Sequence, residues 1–299
     1  MYHKGNKIMS VQYGLLTKEH LNVLARQLPE LELAAATDNI YAIGAMQDHC
    51  ICGVLVFRAD GEILIDIQYI AVAEAYRRQG IADGMIDFLC KSAWKSTTAV
   101  LCTFAAKDWD APLCRLFIRR GDFTLAETAS YICRFPCREL PQVRWNATLP
   151  SGMRIATFYD LPELLQRRFI NEMKQDNQEF AEGICAERKQ MLPQLCICAV
   201  DASATVQAAI FCQRREQDIE LSLAYCAHGH VNALIALFAR LRELLIRAGD
   251  YVSDLWIAAV TPQSRKLIDK LLPEREIIEK FYTACWDMNT MGGEDDGYE

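Results

Sequence analysis

Arg77-Arg78-Gln79-Gly80-Ile81-Ala82 is the stretch on which the reading of this chain turns. It follows an apolar, strand-like run over residues 63–72 and opens a helix-like run over 81–94. The first turn of a helix carries backbone N–H groups with no intrahelical partner, and the helix dipole adds partial positive charge there. An anion, above all a phosphate or pyrophosphate, suits such a junction. Gly80 permits close backbone approach, Ala82 keeps the turn uncluttered, and Arg77 and Arg78 add formal positive charge. On the preceding strand, Glu62, Leu64, Asp66 and Gln68 alternate with Ile63, Ile65, Ile67 and Tyr69, so period two places the sets on opposite faces. Beyond the turn, Ile81, Met85, Phe88, Leu89, Ser92 and Ala93 share one broad helical face.

Upstream, residues 11–15 read as a strand and Thr17 as the cap of a helix reaching about residue 27, where Pro29 stops it. Two β-rich runs, 40–46 and 50–58, are joined by Gln47-Asp48-His49, and Asp60-Gly61 signals the next turn. Downstream come a strand over 99–105, a helix over 111–120 with Asp110 as its cap and Gly121 as its end, and a strand over 131–135. Arg77-x-x-Gly80-x-Ala82 after the fourth strand of this order resembles the acetyl-coenzyme A signature of the GNAT acetyltransferase superfamily, Gln/Arg-x-x-Gly-x-Gly/Ala. The resemblance covers about residues 8–137. It extends to the helix after the fifth strand, where the family often has Ala-x-x-x-Tyr-x-x-x-Gly-Phe. Here Phe117 stands at the tyrosine position, and Asp122 is one extra residue between Gly121 and Phe123.

Pro141, Asn146, Pro150 and Gly152 mark a linker, after which the element order repeats through a strand over 278–286. The turn before the long helix differs, reading Ala227-His228-Gly229-His230 with no Arg-x-x-Gly-x-Ala. The expected fold class is α/β (α+β mixed sheet): two tandem GNAT-like domains, each a mixed, mostly antiparallel sheet flanked by helices. The expected layout is a cofactor-binding domain over 1–140, a linker over 141–151, a degenerate GNAT-like domain over 152–290 and an acidic disordered tail over 291–299. An unrelated α/β domain of similar order is the alternative for the second half.

The resemblance implies an acetyl-CoA-dependent N-acetyltransferase using acetyl-CoA as co-substrate and transferring acetyl directly to a primary amine. The acceptor would be a small molecule or amino-acid-like substrate. It implies that the fourth strand splays from its neighbour around Ile70, Ala71 and Val72 to pair with the pantetheine arm, and that the pyrophosphate lies on Arg77, Arg78, Gln79, Gly80, Ile81 and Ala82. Direct transfer needs a base for the ammonium proton, donors for the oxyanion and an acid for the thiolate. Asp66, eleven residues before Arg77, is the candidate base, as several superfamily members carry a glutamate at that offset. Phe117 cannot donate a proton, so Tyr131 is the candidate acid, with Tyr69, Cys114 or water as substitutes. Two other readings compete: a non-catalytic CoA or acyl-CoA sensor, favoured by Phe117, and a protein N-terminal or lysine acetyltransferase.

Composition sets the bounds. The 299 residues are 52% hydrophobic, enough for two cored domains. Net charge is −7, and Glu294, Asp295, Asp296 and Glu299 supply four of the negative charges, so nothing marks a nucleic-acid binder. No apolar run approaches a membrane span and no leader is visible, so a cytoplasmic protein is expected. The 13 cysteines include no Cys-x-x-Cys pair. Cys50 with Cys52, and Cys196 with Cys198, alternate along strands and read as small buried hydrophobes facing one way. No metal is expected, and His228 and His230 read as solvated loop residues.

Overall fold

A computed structural model describes residues 11–25, 39–47, 50–60, 64–93, 99–145, 147–176, 189–249 and 253–287. In chain order the first elements are β1 (Gln12–Leu15), α1 (Lys18–Ala25), β2 (Ile40–Gln47), β3 (Cys50–Asp60), β4 (Leu64–Val72), α2 (Ile81–Ala93), β5 (Ala99–Ala106), α3 (Pro112–Arg120) and β6 (Thr124–Pro136). The second series is β7 (Arg154–Thr157), α4 (Glu163–Asp176), β8 (Ile197–Val200), β9 (Val206–Arg215), β10 (Asp218–Cys226), α5 (Val231–Ala248), β11 (Asp254–Ala259), α6 (Pro262–Leu271) and β12 (Glu276–Asp287). The mixed α/β class and the repeated order follow the sequence reading. The proposed turns at Asp48-His49 and Gly61 and the acidic tail lie outside the described residues.

The chain forms two compact units, Met1–Thr128 with Phe281–Glu299, and Ala129–Lys280. The first orders its strands β1-β2-β3-β4-β5, with residues 281–287 of β12 in sixth place. Strands β1 to β4 pair antiparallel, whereas β4 and β5 are parallel and need α2 as the crossover between them. One sheet face packs Ile43, Leu55, Ile65, Ile67 and Val100 with Ile81, Met85, Ile86 and Leu89 of α2 and Phe117 of α3. The other face packs Ala42, Val54 and Val56 with Leu21 of α1. The second unit orders its strands β6-β11-β10-β9-β8-β7, with β10 and β11 parallel and α5 as their crossover.

Four local expectations need correction. Strict alternation along β4 placed Tyr69 with Ile65 and Ile67, but the β3–β4 register slips between Val56 opposite Tyr69 and Phe57 opposite Ile67. Gln68 is the extra residue of this bulge, and the parity of the strand flips there. Ile70 and Val72 therefore join the α2 side, while Tyr69 and Ala71 join the α1 side. A second bulge, with Cys52 as the extra residue of β3 opposite Ala45 and Met46, sets Cys52 apart from Cys50, and the first is buried and the second exposed. On α2, Ser92 is exposed while Ile86 and Cys90 are buried, because the buried stripe is broader and rotated from the one expected. Asp110 does not cap α3. Ala111 occupies the N-cap without a side-chain bond and Pro112 opens the helix, while Gly121 ends it with φ of 74°.

The sequence repeat and the compact units divide the chain at different places. The last strand of each half straddles the division. Residues 131–135 of β6 send Tyr131, Cys133 and Phe135 into the core of the second unit, and β6 pairs antiparallel with β11 from Tyr131 opposite Ala259 to Pro136 opposite Asp254. Reciprocally, alternate residues of β12 enter the first unit: Tyr282, Ala284 and Trp286 are all at most 3% exposed, and the Thr283 and Thr103 hydroxyls lie 3.0 Å apart. The stretch after β6 is also packed. Leu140 is fully buried, and Trp145 Nε1 donates to the Leu271 carbonyl at 2.8 Å. Trp286→Ala therefore empties the core of the first unit and should cost about 3–5 kcal/mol, read as a fall in the urea midpoint at unchanged slope.

Candidate active site

The parallel pairing of β4 with β5 runs from Leu64 opposite Ala99 to Ile67 opposite Cys102 and then stops, although both strands continue. The bulge at Gln68 adds bend and twist at that point. Beyond it residues 69–72 pair with β3 on one side and, among the described residues, with no strand on the other. A cavity of about 730 Å³ opens along this free edge. Tyr69, Ile70, Ala71 and Val72 line one side of it, and Tyr76, Arg77, Arg78, Gly80, Ile81 and Ala82 continue the wall around the turn. Leu113, Arg115 and Arg119 of α3 face it from across. The expected divergence of β4 is thus present at the expected residues, and eight of the nine expected cofactor residues share one cavity. The ninth, Gln79, does not line it, and its Nε2 donates to the Ala75 carbonyl at 3.2 Å.

The geometry of the turn suits an anion. Arg77 has φ of −65°, Arg78 of +61° and Gly80 of +78°, while Gln79 is not among the positive-φ residues. Alternating sign along successive residues converges their N–H groups into a nest. Arg78 sits in the left-handed region without glycine's freedom, at a strain of about 1 kcal/mol. Nothing lies within 4 Å of a Cβ built on Gly80, so the glycine answers to φ and to ligand approach, not to crowding within the chain. Gly80 O accepts the first helical bond from Gly84 N at 2.9 Å, which leaves the N–H groups of Ile81, Ala82 and Asp83 without acceptors in the helix. Gly84 lets α2 seat tightly, since a Cβ there would fall 2.1 Å from the Tyr13 hydroxyl oxygen. These features fit a pyrophosphate.

Charge in the cavity is arranged in pairs. Arg77 Nε donates to the Val72 carbonyl at 3.1 Å, tying the turn to the end of β4. Asp83, in the first turn of α2, is neutralised by Arg119, and Asp110 is 3.2 Å from Arg115. Arg78 has no carboxylate partner among the described residues. Behind the helix, Arg120 is buried at 8% side-chain exposure and donates to both Asp122 oxygens, to Asp87 Oδ1 at 2.7 Å and to the Asp83 carbonyl at 3.1 Å. Burial pulls its pKa down, but the hydrogen bonds to Asp122 and Asp87 outweigh that and raise it. Asp122, the residue extra to the family pattern, thus orients the Arg120 guanidinium, which bonds Asp87 and the Asp83 carbonyl of α2. Sequence reasoning missed this clamp and the α3 wall. The arginines at helical spacing, Arg115 and Arg119, were the available signal.

The two candidate catalytic residues belong to different compact units. Asp66 lies on β4, one residue before pairing with β5 ends, and Gln68 Nε2 donates to its Oδ2 at 2.5 Å while Arg58 approaches to 3.6 Å. Tyr131 belongs to the second unit, where its hydroxyl donates to Asp269 Oδ1 at 2.6 Å beneath the Arg275 guanidinium. Burial and the bond to Asp269 push its pKa up to about 12. Phe117 is fully buried and stacks on Phe104, and Cys114 is fully buried with its thiol pKa raised by burial and then by Asp108. Among the described residues no cluster of three or more metal-binding side chains exists, and no helix is long and apolar enough to cross a membrane.

Residues 13–121 match the model of the Acetyltransferase (GNAT) family. A tandem GNAT protein from the clavulanic acid biosynthesis pathway superposes with a TM-score of 0.61 at 12% identity, over 93% of this chain and 98% of that one. A GCN5-related N-acetyltransferase from Sphaerobacter thermophilus gives 0.53 at 12%, over 93% and 95%. A probable N-acyltransferase from Enterococcus faecalis V583 gives 0.58 at 12%, over 93% and 72%. At such identities the likeness establishes the fold. No curated protein matches the sequence. The Arg120 clamp yields a prediction: Arg120→Ala should lower stability by about 2–3 kcal/mol, below the loss for a fully buried pair because Asp87 is half exposed, measured by urea unfolding.

Proposed function

We propose, for a tandem GNAT-like protein whose residues 13–121 form a GNAT-family segment, that the first unit binds acetyl-CoA and transfers its acetyl group to a primary amine of a small or amino-acid-like molecule. The observation that carries this reading is the single cavity of about 730 Å³ reaching from the unpaired edge of β4 to the alternating-φ turn at residues 77–80. In this reading the pyrophosphate rests on the N–H groups of Gln79, Gly80, Ile81 and Ala82, with Arg77 and Arg78 supplying charge. The backbone groups of Ile70 and the N–H of Val72, which face away from β3, hold the extended arm, with Ala71 between them bonded to β3. Acetyl-CoA supplies the activated thioester carbonyl.

Asp66 takes the ammonium proton, directly or through water, and its hydrogen bond from Gln68 and its proximity to Arg58 keep the carboxylate oriented. Tyr131 could serve as acid only by releasing Asp269. Tyr69 lines the cavity and is the better placed hydroxyl of the two. A thiol's reference pKa near 8.5 lets thiolate leave without a dedicated acid, so Phe117 slows the chemistry without forbidding it. The same fully buried Phe117 is the observation favouring the second reading, a module that binds CoA without turnover.

Isothermal titration of acetyl-CoA into the wild type and Gly80→Asp tests the reading. Aspartate tolerates positive φ better than most residues, so the variant should fold while setting a carboxylate in the cradle. Micromolar binding by the wild type, weakened at least about 100-fold in the variant, is expected, since losing one or two charge-assisted bonds and adding repulsion amounts to about 3 kcal/mol or more. Absence of wild-type binding would overturn the proposal. Binding without acetylation of any amine in a broad screen would favour the module.

A further inference from the structure

The second unit holds a cavity of about 480 Å³ at the end of β10 away from the Gly229 turn. Its apolar lining is Leu192, Leu195, Ile219 and Leu244, and its cations are Arg214 and Arg247. Seven arginines of this unit are committed among the described residues. Arg134 pairs with Glu276, Arg167 with Glu163, Arg168 with Glu172, Arg240 with Glu243 and Arg275 with Asp269, while Arg215 stacks 4.1 Å over Trp256 and Arg242 donates to the Leu140 carbonyl. Arg214 and Arg247 come from different elements, the end of β9 and the last turn of α5, and neither has a carboxylate partner among the described residues. The acidic residue of the cavity, Asp218, is occupied: Oδ1 accepts from Asp254 N at 3.1 Å and Oδ2 from Trp256 Nε1 at 2.8 Å. Its carboxylate is therefore held in the sheet and does not bridge to either guanidinium.

Two uncommitted guanidiniums beside an apolar lining match a ligand with one anionic end and one apolar body. We propose that this cavity binds a small organic carboxylate with an aliphatic or aromatic body, independently of the site in the first unit. Arg214 and Arg247 take the carboxylate, and Leu192, Leu195, Ile219 and Leu244 take the apolar part. Arg247 also opposes the dipole of α5, but that role is fulfilled without Arg214.

The Trp256 indole N–H is bonded to Asp218, which lines the cavity, and so serves as a local reporter. The experiment titrates hexanoate, and in parallel hexanamide, into the full chain labelled with 15N-tryptophan. The indole signal is assigned by its loss in Trp256→Phe. Saturable movement of that signal with hexanoate and none with hexanamide is expected. In Arg214→Gln and in Arg247→Gln the midpoint should rise at least about tenfold, the usual weight of a hydrogen bond to a charged group. Both residues are exposed, so the variants should fold as the wild type. No saturable movement with hexanoate overturns the proposal, as does an equal response to hexanamide or an unchanged midpoint in both arginine variants.

Discussion

Parallel strands that part company carry the architecture of the first unit. Where β4 and β5 stop pairing after Ile67 and Cys102, a row of backbone donors and acceptors is left without its second partner. Exposed strand edges are a hazard in most proteins because they invite other chains. Here the edge is walled by α3 on one side and by the turn into α2 on the other, so it faces a cavity. The bulge at Gln68, the seating of α2 over Gly84 and the Arg120 clamp all serve that gap, by bending β4, setting the helix start and holding the helix in place. The anion nest has meaning only because these features deliver it to the end of an unpaired strand.

The second unit shows what happens when the frame persists and the nest does not. Strand β10 pairs with β11 over residues 219–221 only and then runs on to Cys226, and its register with β9 slips between Leu221 and Leu223. Ser222 thus occupies the place that Gln68 has in the first unit, and its hydroxyl is buried without a partner. The connection that follows is short. Residues 227–230 lead straight into α5, whereas residues 73–80 separate β4 from α2 and include a turn of 3-10 helix, Glu74–Tyr76. Ala227 N bonds back to the Gln207 carbonyl at 2.9 Å, as Ala73 N does to the Cys52 carbonyl, and the short turn closes on itself through His230 N to the Ala227 carbonyl at 3.1 Å. The sheet geometry survives where the length and charge of the turn do not.

Much of this was legible in the chain. Local signals, such as the six-residue turn, the glycine after α3 and the 3.6 periodicity of α5, give elements within a residue or two of their observed bounds. Signals that depend on register were not legible. No residue type announces the bulges at Gln68 and Cys52, so alternation failed at Tyr69 and at the Cys50–Cys52 pair. Partners distant in sequence were also hidden: nothing near Arg120 shows that it will meet Asp83 and Asp87, and nothing near Tyr131 shows that it will meet Asp269. Eight of the nine expected cofactor positions line one cavity because they lie along one strand and one turn. The two expected catalytic positions, drawn from strands β4 and β6, fall in different units.

The passage of β12 into the first unit also has a consequence in time. A ribosome releases residues 13–121 long before Tyr282, Ala284 and Trp286, which belong to the same unit's core. At roughly 5–20 residues per second, the whole of Ala129–Lys280 must be translated first, a delay on the order of ten to thirty seconds. During it the first unit waits with an unfilled strand position beside β5. A chain that stops before residue 281 therefore leaves the first unit without its sixth strand, although residues 13–121 are all present.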